Sequence, residues 1–348
     1  MRSFYIIIHL IMFCIHTDLR AGEMMTVAAC RNGEYIYSVA DGGVNIFNEN
    51  GQWIQNFRDP DFRIFDIQSS GIDGQLFVCG GTPGVDGKVG ILTCEGAFDR
   101  NEGKPLIFRL QKRELGDDLL YRCRFDQLRS CLYAAGENSR VYRIPVRDGI
   151  LNEAVRIASM ASAVHAMDLD EKSGLLAIGG RGGEMTFINL NSDSESDATT
   201  QYIADHTAGV TSIIIPPGGD YVLSGSADAR IRVHLRSGRL VLTVTGIQYH
   251  SEGQTLDERM RQTSVLTLEA LGDEPGWTPD SGGVVAGTST GAVFHLSGGK
   301  STPQIIHKPN LPPGAVPAPI HQILMNVSHT EILIPRGNEW IAVKVPAK

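Results

Sequence analysis

His206, Ser224 and Asp228 have the residue types of a hydrolytic triad: an imidazole base, a hydroxyl nucleophile and a carboxylate to orient the base. Their surroundings argue against that chemistry. The sequence contains no Gly-x-Ser-x-Gly elbow, Walker A loop, His-Glu-x-x-His pair or EF-hand loop. The glycine-rich pieces Gly80-Gly81 and Gly179-Gly180-Arg181-Gly182-Gly183 have the composition of a phosphate cradle. They join strand-like runs, however, and open no helix whose N-terminus would face an anion. Six cysteines, at 14, 30, 79, 94, 123 and 131, all fall in the first half of the chain. None forms a Cys-x-x-Cys or has a histidine at zinc-ligand spacing, so they read as reduced, mostly buried thiols. No catalytic residue, metal site or cofactor is expected.

The elements that hold these residues are short strands. Residues 205 to 242 read as four in a row: Val210–Ile215, Tyr221–Ser226, Arg230–Leu235 and Arg239–Thr245, separated by Pro216-Pro217-Gly218-Gly219, Ala227–Ala229 and Ser237-Gly238. A turn signal every eight to twelve residues marks an antiparallel meander. One meander cannot bury both of its faces, so it needs copies of itself to stack against. The copies are present. Successive first strands begin near 25, 63, 119, 164, 210, 264 and 320. The shorter intervals match a blade of roughly 40–45 residues, and the longer ones each hold a polar insertion. In the second unit, Gly81–Gly87 and Cys94–Lys104 read as long connections, and the seventh runs Ile320–Val327, Glu331–Pro335 and Trp340–Val345.

Asp205-His206, then Ser224-Gly225-Ser226-Ala227-Asp228, then an apolar third strand resembles a WD40 repeat. Asp205 stands where that family has glycine, and His234-Leu235 where it has Trp-Asp. The resemblance implies that His206 and Asp228 join through a second-strand hydroxyl, Ser224 or Ser226, in a buried structural network. It also implies an all-β fold: one seven-bladed propeller domain over residues 1–348. The last unit is a strand short, and Phe4–Phe13 is available to close the ring. Residues 1–22 have two other readings. Their positive start and short apolar run resemble a signal peptide, although the run is too short to span a membrane. Alternatively, the true start is Met24 or Met25.

A formal net charge of −8 gives no sign of a generally nucleic-acid-seeking surface. Residues 109 to 156 nonetheless hold ten Lys/Arg against seven Asp/Glu. Arg122, Arg124, Arg140 and Arg143 are the candidates there for a phosphate-contacting face. In WD40 proteins the loops entering first strands and joining second to third strands form the top face, where partners bind. The insertion Gly246–Thr263 falls on it, carrying Tyr249, His250, Asp257, Glu258, Arg259, Met260 and Arg261 as candidate partner-binding residues. Lys308–Pro319, with five prolines, reads as a stiff bridge or a polyproline ligand. Asn191–Thr199, with its acidic serines, lies on the opposite face.

The resulting expectation is a non-catalytic scaffold that binds other protein subunits through its top face and inserted loops. The alternatives are a secreted propeller enzyme or ligand binder, marked by the N-terminal run and the sequon at Asn326, and an adaptor of a ubiquitin ligase or trafficking complex. Residues 164 to 307 also resemble WD40 subunits of the THO complex, which packages messenger RNA for export. The shared features are Leu223-Ser224-Gly225-Ser226 with Asp228, the insertion after it, a Val-Val-Ala-Gly strand and Ser301-Thr302-Pro303. That resemblance implies a nuclear protein with indirect RNA contact and no membrane association; a cytoplasmic location fits the other adaptors.

Overall fold

The computed structural model describes residues 28–96, 105–116, 118–191, 200–249, 263–271, 277–298, 302–309, 318–325, 331–336 and 339–346. These residues form seven antiparallel sheets and no helix. From the axis outwards, blade one has Ala28–Asn32, Tyr35–Ala40, Gly43–Phe47 and Trp53–Phe57. Blade two has Ile64–Ser69, Gln75–Thr82, Asp86–Glu95 and Ile107–Gly116. Blade three has Leu120–Asp126, Cys131–Gly136, Arg140–Arg147 and Val155–Ser159, with the short Ile150–Leu151 also paired to the third strand. Blade four has Val164–Asp170, Leu175–Gly180, Met185–Asn189 and Thr200–Ile203. Blade five has Val210–Ile214, Tyr221–Ser226, Ile231–Leu235 and Leu240–Val244. Blade six has Val265–Leu271, Gly283–Thr288, Val293–Leu296 and Gln304–His307. Three strands, Leu324–Met325, Glu331–Arg336 and Glu339–Lys344, make up blade seven. The proposed closing strand Phe4–Phe13 lies outside the described residues.

The second strands are buried almost end to end because both of their faces are covered by neighbouring blades. Each of the seven interfaces has its own apolar cluster. The last one joins the ends of the ring: Ala29, Ile36 and Phe47 of blade one pack with Trp340, Leu324 and Leu333 of blade seven. Side chains on the inner strands add polar ties to the backbone of the following blade. Asp66 Oδ2 accepts from Cys123 N (2.9 Å) and Gln68 Oε1 from Phe125 N (2.6 Å). Asp168 Oδ2 accepts from Ile215 N (2.7 Å), and Ser212 Oγ from Leu268 N (3.0 Å).

Two sequence expectations change. Gly81–Gly87 is a tight hairpin, with Thr82 paired to Asp86, so the flanking strands run on into what reads as a loop. Gly84 takes φ 67 in that turn, and Thr82 N donates to Asp86 Oδ1 at 2.9 Å. The expected strand Ile320–Val327 begins only at Leu324, with Leu324–Met325 paired and residues 326–327 outside the described residues. Ile320 N bonds Thr288 O of blade six (2.9 Å), so this segment begins by tying to the previous blade.

Close packing of the inner strands depends on a bare backbone behind them. A Cβ on Gly225 would lie 2.5 Å from Val265 Cγ1 of the next blade, and one on Gly179 would lie 2.5 Å from Val210 Cγ1. Gly-to-Ala changes at unstrained positions often stabilise a chain by reducing unfolded-state freedom. Here overpacking reverses the sign. Gly225→Ala is expected to destabilise the fold by about 1–3 kcal/mol in urea unfolding, and an unchanged or raised midpoint would contradict this packing.

Candidate functional site

A cavity of about 300 Å³ lies on the ring axis, walled by all seven blades, with Asp66, Arg122, Arg124, Asp168, Glu269 and His321 among its lining. One irregularity repeats at the upper end of the ring. Near the start of the inner strand, blades two to six each carry a β-bulge, at Phe65, Tyr121, His165, Thr211 and Leu266. A bulge re-aims the side chain of its extra residue. On three consecutive blades those residues are rings in contact. Phe65 meets Tyr121 edge-on at 6.1 Å between centroids, and Tyr121 meets His165 at 5.1 Å. All three are half-buried.

Charges surround this arc. The Arg63 guanidinium lies 5.7 Å from the Phe65 centroid. Tyr121 Oη donates to Glu137 Oε2 (3.0 Å), and Arg181 Nη1 donates to Glu137 Oε1 (3.4 Å). Burial, reinforced by the charges of Arg122 and Arg181, pushes the His165 imidazole down to about 4, so it is neutral near pH 7. The two channel arginines differ. Arg124 Nη1 binds Asp66 Oδ2 (2.9 Å) while its Nε lies 3.5 Å from Asp168 Oδ1, which bridges blades two, three and four. Burial works against the Arg124 charge, but the two carboxylates outweigh it and hold the guanidinium firmly protonated. Arg122 Nη1 donates only to its neighbour's carbonyl, Tyr121 O (2.9 Å), and pairs with no carboxylate among the described residues.

The four arginines do not gather into a phosphate face. Arg122 and Arg124 line the channel, whereas Arg140 and Arg143 stand two strands further out and have interactions of their own. The donor atoms of Asp66, Cys79 and Cys123 in the channel wall lie within 4.8 Å of one another, the one such group among the described residues.

In blade five, His206, Ser224, Ser226 and Asp228 come together, all buried. His206 Nε2 is 2.8 Å from Ser224 Oγ, and Nδ1 is 3.0 Å from Asp228 Oδ2. Ser226 is spent on the turn: its Oγ accepts from Asp228 N (3.1 Å) and donates to Ala208 O (3.0 Å). Arg232 Nη1 donates to Asp228 Oδ2 at 2.9 Å and also contacts His206 Nδ1. Burial would raise the Asp228 carboxyl, but hydrogen bonds from Arg232 and His206 hold it at about 2. Ser224 is 0% exposed, so no substrate can reach the one hydroxyl that contacts the imidazole. Residues 198–234 match the family described as WD domain, G-beta repeat. The ring is a seven-bladed β-propeller, and the matched stretch ends blade four and spans most of blade five. No curated protein matches the chain.

Two departures from the WD40 pattern answer each other in space. His234, in the position of the family's Trp, sends Nε2 to Asp205 Oδ2 at 2.8 Å, and Asp205 stands where the family has glycine. His234 is fully buried, and burial lowers its imidazole below the ordinary range, with the charge of Arg232 adding to the effect. It therefore donates as a neutral ring. The pair was missed in the sequence because each residue reads alone as a defect. Of the insertion residues proposed for partner binding, Tyr249 is half-buried, packs on the apolar cluster between blades five and six, and has Lys308 Nζ 6.0 Å from its ring centroid. His250, Asp257, Glu258, Arg259, Met260 and Arg261 lie outside the described residues.

This WD40 network yields two expected outcomes. Asp228→Ala removes the partner of a buried guanidinium and should cost about 3 kcal/mol by urea unfolding; a cost below about 1 kcal/mol would mean the network is not formed. The second concerns pH. Burial also lowers His206, outweighing the opposing pull of Asp228. His165, His206 and His234 thus release protons on folding, whereas in the unfolded chain they titrate near about 6.5. Their stabilising share is full above about pH 6.5 and is lost as pH falls below it. The thermal midpoint should therefore drop between about pH 7 and 5, and a flat profile over that window would refute the assignment.

Proposed function

We propose that this chain is a non-catalytic scaffold that holds a segment of a partner protein at the upper mouth of its channel, within a multisubunit complex. The observation that carries this reading is the arc Phe65–Tyr121–His165, half-buried and flanked by Arg122, whose charge no carboxylate among the described residues meets. Half-exposed rings and arginine are the residues enriched at protein interfaces. They sit on short bulges of a stiff sheet, so little side-chain freedom is lost when a partner binds. Arg122 suits an acidic side chain of that partner, and the rings suit its apolar or peptide flank. The imidazole–hydroxyl–carboxylate set of blade five supports the same reading, because its groups are consumed by internal bonds.

The finer reading is a nuclear subunit of the THO complex, with RNA contacted through other subunits. It rests on the sequence likeness over residues 164 to 307.

Affinity capture of the tagged full-length chain, with mass spectrometry, tests both levels. The double variant Arg122→Ala/Tyr121→Ala should recover about tenfold less of the wild-type partners. Leu128→Ser, an exposed change in the turn on the opposite face, should keep them. Equal recovery by the two variants would overturn the mouth as the binding surface. THO subunits among the captured proteins would support the finer reading, and a different assembly would remove it while leaving the scaffold in place.

A further inference from the structure

Cys79 and Cys123 take no part in the recognition surface, yet the ring brings them to Asp66. Cys79 is the cross-strand partner of Asp66 in blade two, so both side chains leave the same face of that sheet. Blade three packs against that face, and Cys123 of its inner strand donates its backbone N–H to Asp66. One donor atom from each residue, a carboxylate oxygen and two sulfurs, lies within 4.8 Å of the others, and all three residues are buried. Zinc bonds of about 2.0–2.3 Å in tetrahedral geometry place such donors about 3.3–3.8 Å apart. Closing each separation by at most about 1.5 Å would therefore form the site.

We propose that Asp66, Cys79 and Cys123 form a site for a zinc-class divalent cation in the seam between blades two and three. A carboxylate with two thiolates is a donor set that selects borderline-soft ions of this kind over magnesium or calcium. Loading exchanges charge evenly. One divalent cation enters, the two thiols lose their protons to solvent, and the two thiolates with the Asp66 carboxylate leave a single net negative charge. Arg124 Nη1, 2.9 Å from Asp66 Oδ2, offsets that charge. Without metal the cluster is also neutral, as two thiols beside an Asp–Arg pair; burial keeps the Cys79 thiol protonated. Neither form strands an unpaired charge in the wall.

Asp66 already accepts from Ile67 N, Cys123 N and Arg124, which leaves about one lone-pair direction of its four for the metal. Asp66 also lines the channel, so a channel water is available for the fourth position, as at three-ligand zinc sites. The ligands come from two blades, so a bound ion would clamp their interface.

Elemental analysis of the full-length chain refolded with zinc, and cobalt(II) substitution read by sulfur-to-metal charge transfer, test the site. Wild type should hold about one ion per chain. Cys131→Ser should as well, because the Cys131 thiol is engaged elsewhere, with Arg129 O. Cys79→Ala should fall below about a tenth of that loading. This variant is expected to fold, since the equivalent second-strand position holds Ala135 in blade three and Gly225 in blade five. A wild-type chain that takes up neither ion overturns the proposal. So does a Cys79→Ala chain that melts cooperatively and keeps its full metal.

Discussion

Each blade of this protein is apolar on both faces, and the structure depends on that constraint. A four-stranded meander standing alone would leave both of those faces in water. Stacking blades in a line would cover the inner ones but leave two exposed ends. A ring covers every face. The seven apolar clusters, one per interface, are the physical content of closure, and the cluster that joins Phe47 to Trp340 makes the first and last blades neighbours. The glycines at 179 and 225 belong to the same constraint: the inner strand of each following blade approaches so closely that a methyl group would collide with it.

Closure at this distance also creates the site. Inner strands converging on an axis leave a channel, and five of them carry a bulge near their start, at one end of the ring. The fold requires the bulge but does not dictate the residue placed on it. Thr211 and Leu266 occupy two of these positions and rings occupy three, all on adjacent blades. An irregularity shared by the repeats thus becomes a local surface through residue choice alone. The same applies to Arg122, which shares its register position with Asp66, Ala166, Ser212 and Thr267.

The architecture was legible wherever alternation and turn chemistry coincide. Blade five reads almost residue for residue because Pro-Pro-Gly-Gly and Ser-Gly punctuate β-branched runs. Legibility failed at Gly81–Gly87, where the glycines that read as a loop are those needed for a tight hairpin between extended strands. It failed more deeply for the channel. Arg124 meets Asp66 and Asp168 across intervals of 58 and 44 residues, and no local spacing rule reports such a meeting. Cys79 and Cys123 share the problem. Their separation resembles no metal motif because the chain returns to the same seam by way of a whole blade edge. Asp205 and His234 show a third kind of failure, in which two substitutions that each look damaging satisfy one another.

Seven blades with similar apolar faces raise a question that burial alone cannot answer: why each blade accepts only its proper neighbour. Hydrophobic faces are poor discriminators, because most shapes can be packed at a modest penalty. The polar ties differ from seam to seam. Blade two offers Asp66 and Gln68 to the backbone of blade three, blade four offers Asp168, and blade five offers Ser212. Arg124 further requires a carboxylate on each side. A blade set beside the wrong partner would bury one or more of these groups unsatisfied, at about 1–3 kcal/mol each and more for the charged ones. Apolar faces therefore supply the drive to close the ring, and the few buried polar groups along the axis supply the order in which it closes.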